Sequence, residues 1–310
     1  MRLKRILEKI GSMQNFAELL KFAKKKGKKV CVVVKAEDEP VLEGINLARK
    51  QGLLEYVYLT GAQEAIKGLI KKVNLDLKNA EIIDITDEQE CLKTGLSIVR
   101  QKGDFLMKGM ISTSTFLKGV LDKDYGLRTG KILSHIAVLE IPGYHKLLFM
   151  SDGGMNPKLD LKTRIDIINN AIWLMNGLGI SKPKIALVAA SEAIHPDMPE
   201  TVDAVEIVKM NKNGEIKDAI IEGPFGFDVA VSKEAAGHKK IKSDISGDVD
   251  FILMPNISAG NIWAKGLIYF AKAKAAGVVA GASKPVVLLS RADDAETKLN
   301  SIALGVAVSG

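Results

Sequence analysis

The chain has 310 residues, of which 47% are hydrophobic, 26% charged and 5% aromatic, and its net charge is +7. This length is enough for two domains with a core each, and the composition is typical of an α/β enzyme. No apolar run approaches about 18 residues and the amino terminus lacks a secretory pattern, so we expect no membrane span and cytoplasmic residence. The lysines are scattered without interleaved aromatic residues, which favours small anionic ligands over nucleic acid.

Strands and helices alternate in the first part of the chain. Short apolar runs predict strands at 30–34, 55–59, 80–84 and 104–107. Helical periodicity predicts helices from Asn15 onward, at 37–50, 62–72 and 86–101, and around Leu117. Strands separated by helices indicate parallel pairing with right-handed crossovers.

The pattern changes near Thr129. Strands at 131–139 and 146–150 flank the turn signal Pro142-Gly143, which predicts a local antiparallel pair. Further strands are predicted at 185–189, 220–222, 250–254 and 284–289. Further helices are predicted at 161–177, near 228–236, at 262–274 and from Asp294 to the end.

Polar residues follow two of the later strands. The loop 255–261 opens a helix and contains Ser258, Gly260 and Asn261, which are small or carry an amide. A helix start has free N–H groups and a partial positive charge, so it is a natural site for an anion. The strand at 284–289 is followed by Ser290 and Arg291. Such groups at two strand ends predict a ligand crevice of the kind usual in α/β proteins.

Several motifs together resemble one enzyme family. They are AEDEPVL at 36–42, LMKGMISTST at 106–115, GLRTG at 126–130, SHIAV at 134–138, EGPFGFD at 222–228, PNISAGNI at 255–262 and KPVVLLSR at 284–291. The chain resembles the phosphate acetyl- and butyryltransferases over nearly its whole length. The segments 126–130 and 223–228 resemble the butyryl branch more than the acetyl branch.

The resemblance implies an α/β fold with two three-layer α/β/α domains, mostly parallel sheets and an interdomain cleft. It implies a first domain of 1–130 plus 291–310 and a second of 131–290, because the last helix returns to the first domain. The implied reaction converts acyl-CoA and phosphate into acyl phosphate and coenzyme A. Coenzyme A is a substrate in this reaction, no bound cofactor is expected, and we expect a homo-oligomer, at least a dimer.

The resemblance also suggests residues for the anionic groups. Arg291 is the first candidate for phosphate, because a guanidinium can bind two phosphate oxygens at once. Ser290 would donate to the oxyanion or to the coenzyme A sulfur. Lys118 stands where the acetyl branch has an arginine, and Arg128 is the alternative to it. Lys108 follows a strand end and is a further anion candidate.

The remaining candidates concern coenzyme A and the catalytic base. Gly109 is a further substrate-binding candidate, because a glycine lets an anion approach the backbone closely, and coenzyme A contacts are expected from Asn256, Ser258, Gly260 and Asn261. Weaker cleft candidates are 151–154 and Ser191. The family's aspartate base aligns with Thr297, which cannot serve as one. Asp293 and Glu296 are interpreted as a helix cap and its partner three residues on, and Asp294 is the alternative base.

Three other functions are weighed against this one. A phosphate acetyltransferase differs only in the acyl chain. A decarboxylating NAD(P)-dependent dehydrogenase would need clustered aspartates for a divalent metal, and neither the aspartates nor the histidines and cysteines show ligand spacing. A ligand-binding regulatory module would be supported by a signal peptide or a DNA-binding helix pair, and neither is recognisable.

Overall fold

The computed structural model describes residues 12–289 and 293–310. Packing divides the chain into two compact units. We call Phe16–Lys131 with Ala275–Gly310 the first unit, and Ile132–Lys274 with residues 12–15 the second unit. The domain limits predicted from the sequence place the second crossing at 290–291, later than 274–275, and they stay a prediction.

The strands are short and the helices longer, as in other α/β proteins. The strands are β1 (Lys29–Val34), β2 (Leu54–Gly61), β3 (Ala80–Asp84), β4 (Phe105–Lys108), β5 (Ser134–Glu140), β6 (Leu148–Ser151), β7 (Lys184–Val188), β8 (Ile220–Phe225), β9 (Phe251–Leu253), β10 (Lys274–Ala280) and β11 (Val286–Val287). The helices are α1 (Phe16–Lys25), α2 (Glu39–Lys50), α3 (Gln63–Val73), α4 (Glu88–Gln101), α5 (Thr113–Val120), α6 (Leu161–Gly177), α7 (Pro199–Lys212), α8 (Phe227–Val231), α9 (Lys233–His238), α10 (Ile257–Tyr269) and α11 (Ala295–Val308).

The sheet of the first unit is mostly parallel. Its strand order is β3-β2-β1-β4-β11-β10, and β10 alone runs antiparallel to its neighbour β11. Helix α4 packs on β1, β2 and β4, and α11 packs on α1 and α2. Gly305 allows α11 to approach the sheet, because a Cβ there would lie 3.1 Å from Val287 and 3.3 Å from Phe105. The last helix therefore belongs to the core of the first unit.

The sheet of the second unit has the order β5-β6-β9-β7-β8. Strands β5 and β6 are antiparallel, and the pairs β6–β9, β9–β7 and β7–β8 are parallel. The carboxyl ends of β6, β9, β7 and β8 therefore lie at one edge, which we call the carboxyl edge of the second unit. The predicted α/β class with mostly parallel sheets is confirmed.

Two predicted helices are present with different limits. The helix predicted at 262–274 instead begins at Ile257 and ends at Tyr269, and Lys274–Ala280 forms strand β10. Alanine and lysine favour a helix locally, but pairing with β11 determines the structure here. The helix predicted near 228–236 is two helices, because Ser232 is extended and caps α9. Within the described residues no helix is both long and apolar enough to cross a membrane.

Candidate active site

The start of α10 lies at the carboxyl edge of the second unit and contains the four residues predicted to contact coenzyme A. Asn256 caps the helix, since its side chain accepts the N–H of Ala259 at 2.9 Å. The amide nitrogen of Asn261 donates to the carbonyl of Gly153 at 2.8 Å, and Ser258 is exposed. The structure thus brings these residues together in two helical turns, and their contact with coenzyme A stays a prediction.

Gly260 allows two backbone segments of the protein to pack closely against each other. An ideal Cβ on Gly260 would lie 2.2 Å from the carbonyl oxygen of Asp152 and 3.1 Å from the Cα of Gly153. From the sequence alone, the missing side chain is expected to admit a ligand. The backbone that comes this close is that of the loop after β6, so glycine is required here for packing first.

A buried carboxylate organises the loop after β6. Asp152 is fully buried. Its Oδ1 accepts the N–H groups of Gly154 and Met155, each at 2.7 Å, and its Oδ2 accepts the N–H and the side-chain amide of Asn156 at 3.1 and 2.6 Å. Four donors compensate the charge, as a buried carboxylate requires. The loop therefore presents a fixed backbone to α10.

Arg164 is a residue that sequence reasoning missed. It lies on α6 with 5% of its surface exposed, and its Nε pairs with the carboxylate of Asp203 at 3.0 Å. Its Nη2 donates to the carbonyl of Pro255 at 2.9 Å, just before the cap of α10. The available signal was an arginine among the apolar residues of a helix. Arginine is rarely buried unless its charge is paired, so such a position indicates a buried ion pair. Arg164 holds the exit of β9 in place.

Two further polar groups lie after β7 and β8 at this edge. Ser191 Oγ and His195 Nε2 are 3.0 Å apart. Lys239 Nζ binds the carboxylates of Glu192 at 2.7 Å and Asp228 at 3.0 Å, and it holds the pKa of both carboxyls below the ordinary value. Only Ser191 was named as a candidate from the sequence. Glu192 and His195 lie within four residues of Ser191, whereas Asp228 and Lys239 are distant in the chain and reach this edge because β7 and β8 are parallel.

In the first unit, the candidates Lys108 and Gly109 lie at the end of β4. Lys108 is 7% exposed and its Nζ donates to the carbonyl of Gly109 at 3.1 Å. An ideal Cβ on Gly109 would lie 2.1 Å from the carbonyl oxygen of Lys35, so glycine is required here for the packing of two backbone segments, and the approach of an anion stays a prediction. The segment then reaches Ser112, which caps α5 by accepting the N–H of Thr115 at 3.0 Å.

The two alternative phosphate cations differ in their setting. Lys118 is exposed in the last turn of α5, at the opposite end of this helix from its cap. Arg128 is also exposed, and its backbone forms an antiparallel bridge with Ala282. Thr129 Oγ1 donates to the carbonyl of Gly281 beside this bridge. The butyryl-like segment 126–130 is thereby fixed to the turn after β10, and the choice between the two cations stays open.

The cap of α11 differs from the prediction. Asp294, not Asp293, caps this helix, because its carboxylate accepts the N–H of Thr297 at 2.8 Å. This hydrogen bond lowers the pKa of Asp294. A capping carboxylate is occupied and a weak base, which argues against a catalytic role for Asp294. The candidates Ser290 and Arg291 lie outside the described residues.

Residues 12–289 and 293–310 contain no group of three or more histidine, cysteine, aspartate or glutamate side chains that could hold a metal ion.

Comparisons with known proteins agree with the motifs. The family model described as "Phosphate acetyl/butaryl transferase" matches residues 89–306. The chain is 41% identical to phosphate butyryltransferase of Clostridium acetobutylicum, over 96% of this chain and 99% of that protein. It is also 41% identical to phosphate acetyltransferase of Thermotoga maritima, over 93% of this chain and 97% of that protein.

A solved structure extends the likeness to the fold. The branched-chain phosphotransacylase of Enterococcus faecalis V583 superposes with a TM-score of 0.78 at 29% identity, covering 91% of this chain and 100% of that chain. The family model, the relatives and the fold thus all indicate the same family. The chain belongs to the phosphate acetyl/butyryltransferase family.

Proposed function

We propose that this chain, a phosphate acyltransferase by its family, transfers butyryl or a similar short or branched acyl group in preference to acetyl. An oxygen of hydrogen phosphate attacks the thioester carbonyl carbon, the C–O bond forms and the C–S bond breaks. The sulfur leaves with the electron pair and takes up the proton that the phosphate gives up. The observation that carries the reaction is the match of nearly the whole chain to such enzymes. Coenzyme A is then a substrate.

The preference for butyryl is supported by two segments of the sequence. GLRTG at 126–130 and GPFGFD at 223–228 resemble the butyryl branch. Overall sequence identity does not distinguish a butyryl from an acetyl preference, because the Clostridium butyryltransferase and the Thermotoga acetyltransferase are each 41% identical to this chain. Phosphate acetyltransferase therefore remains the second candidate.

The proposed roles follow the chemistry of the reaction. Negative charge accumulates on phosphate and on the former carbonyl oxygen, so cations and N–H or O–H donors must surround both. We assign phosphate to Arg291, with Lys108 and either Lys118 or Arg128 as further cations. Ser290 would donate to the oxyanion or the sulfur, and the first turns of α10 would contact coenzyme A.

The test is phosphate-dependent release of coenzyme A thiol from acetyl-, butyryl- and isobutyryl-CoA. One methylene in an apolar pocket changes the transition-state free energy by about 1–3 kcal/mol, so we expect kcat/KM for butyryl-CoA to exceed that for acetyl-CoA at least about tenfold. A higher value for acetyl-CoA would refute the preference and leave the reaction standing. No phosphate-dependent release from any of the three would refute the reaction.

We also propose a homo-oligomer. Helix α10 buries only Gly260 among its residues and exposes large apolar side chains, with Ile262 72% exposed, Tyr269 62% exposed and Phe270, just after the helix, 90% exposed. Exposed apolar clusters of this kind mark interaction surfaces. Light scattering should show at least a dimer, and Ile262→Glu combined with Phe270→Ser should shift the protein toward the monomer.

We also propose a cytoplasmic location. Cys31 and Cys91 form no disulfide, which fits a reducing compartment.

A further inference from the structure

Strand β1 is followed by a left-handed residue that is not glycine. Lys35 has φ 55°, a conformation that residues with a Cβ rarely adopt unless their surroundings hold them there. In this conformation, its carbonyl accepts the N–H of Met110 at 2.6 Å and lies against the Cα of Gly109. The course of the chain after β4 therefore depends on the backbone of Lys35.

The side chain of Lys35 is held by Glu37. Its Nζ lies 2.9 Å from Glu37 Oε1 and 3.3 Å from the carbonyl of Thr86. The same Oε1 accepts the N–H of Ala62 at 2.9 Å. The two side chains are only 15% and 16% exposed, so solvent screens the pair much less than a surface pair. This ion pair links the segments that follow β1, β2 and β3.

The surroundings of Lys35 keep its ammonium charged. Burial lowers the pKa of Lys35, but the hydrogen bond and the charge of Glu37 outweigh it and hold this pKa above the ordinary value. The second carboxylate oxygen, Glu37 Oε2, is buried and has no hydrogen-bond partner among the residues that the structure describes. It faces Gly61, where an ideal Cβ would lie only 2.3 Å away. A half-satisfied carboxylate is costly, so the ion pair and the hydrogen bond that Glu37 Oε1 does make must compensate for its burial.

We propose that Lys35 and Glu37 are positioning residues for the anion site at Lys108 and Gly109. Glu37 holds the Lys35 side chain, the Lys35 carbonyl holds Met110 and Gly109, and these set the backbone between β4 and the cap of α5. The inference rests on the proposed function, because that function assigns phosphate to this segment. Neither residue needs to touch the substrate.

The experiment compares Glu37→Gln with Glu39→Gln. Glu39 is a matched control, because it pairs with Lys72 at 2.6 Å in the same unit, with the lysine 65% and the glutamate 31% exposed. Steady-state thiol release is measured while phosphate and butyryl-CoA are varied separately. We expect Glu37→Gln to raise KM for phosphate about tenfold with KM for butyryl-CoA unchanged, because a small displacement of a binding group weakens that one contact. Glu39→Gln should change neither.

Two lysine variants separate positioning from stability. Lys35→Gly accepts the left-handed backbone but removes the side chain with its ammonium, so we expect it to raise KM for phosphate as Glu37→Gln does. Lys35→Arg keeps the cation and should stay near the wild-type KM. The inference would be overturned if Glu37→Gln and Lys35→Gly both kept the wild-type KM for phosphate. It would also be overturned if KM for phosphate and KM for butyryl-CoA rose equally while the melting temperature fell. If the wild type itself releases no thiol, the proposed function has failed instead.

Discussion

The side-chain amide of Asn261 donates a hydrogen bond of 2.8 Å to the carbonyl oxygen of Gly153. One residue earlier, Gly260 approaches the carbonyl of Asp152 so closely that an added Cβ would lie 2.2 Å from it. The first turns of α10 and the loop after β6 are therefore in direct backbone contact. The proposed contact with coenzyme A depends on this junction.

We expect Gly260→Ala to disrupt that junction. No Cβ can lie 2.2 Å from a carbonyl oxygen, so the helix or the loop must move. Overpacking of this kind typically costs about 1–3 kcal/mol of unfolding free energy. KM for butyryl-CoA should rise as well, and thiol release together with urea unfolding would show both effects.

Gly266→Ala is the matched control on the same helix. An ideal Cβ on Gly266 meets nothing within 4 Å. Alanine in a helix interior is about 0.5–1 kcal/mol more favourable than glycine, so this variant should be slightly stabilised and fully active. Equal kinetics and stability in the two variants would contradict the close packing at Gly260.

Removal of the buried Arg164 should be costly for stability. Its guanidinium compensates the carboxylate of Asp203, whose side chain is 18% exposed, and it satisfies the carbonyl of Pro255. Breaking a buried pair on one side typically costs about 3–5 kcal/mol, because the partner charge stays buried without compensation. We expect Arg164→Met to lower the free energy of unfolding, measured in urea, by about 3 kcal/mol.

The control is Lys209→Met, which breaks an exposed pair with Glu206 and should lower the free energy of unfolding by less than about 1 kcal/mol. Similar losses in both would contradict the role of Arg164.

Acid should destabilise the second unit through Asp248. Burial alone would raise its pKa, but hydrogen bonds from Lys146 at 2.8 Å, from Lys184 and from His145 at 3.0 Å outweigh burial and hold this pKa well below the ordinary value. A carboxyl with a depressed folded pKa contributes stability above its unfolded pKa of about 3.9, and the contribution is lost as the pH falls through the folded pKa.

The melting temperature should therefore fall below about pH 4, and Asp248→Asn should remove part of that fall. The side chain is 44% exposed, so solvent screening limits the effect. Asp197→Asn, an exposed aspartate of the same unit, is the control. An acid dependence that Asp248→Asn leaves unchanged would show that another group is responsible.

Arg291 carries the most direct prediction about catalysis. Removing one preorganised donor from a site that stabilises developing charge costs about 10²–10³ in kcat, so Arg291→Ala should lose at least this much in kcat/KM. Arg291→Lys should recover only part, because a point charge cannot pair two oxygens. Arg100→Ala, an exposed arginine of α4, should stay active. A folded Arg291→Ala enzyme with near-wild-type kcat/KM for phosphate would contradict the assignment, and a lower melting temperature with unchanged turnover would indicate a structural role instead.

Strong local patterns made much of the fold predictable. Helix α6 was predicted at 161–177 and spans Leu161–Gly177, because its apolar periodicity follows a capping aspartate. Strands β1 and β3 and the antiparallel pair of β5 and β6 were recognised from β-branched runs and from a turn signal. The family followed from motifs, which are local as well.

The arrangement of polar partners required the tertiary structure. Arg164 is 39 residues from Asp203 and 91 from Pro255, and Lys239 is 47 residues from Glu192. No periodicity in the sequence relates such positions, since strand order decides which loops meet. Strand β10 was missed for the same reason: its lysine and alanine residues favour a helix locally, and the hydrogen bonds that make it a strand come from another segment. Sequence by itself determined most local elements and the family, whereas contacts between distant segments decided how the candidate side chains are paired and packed within the protein.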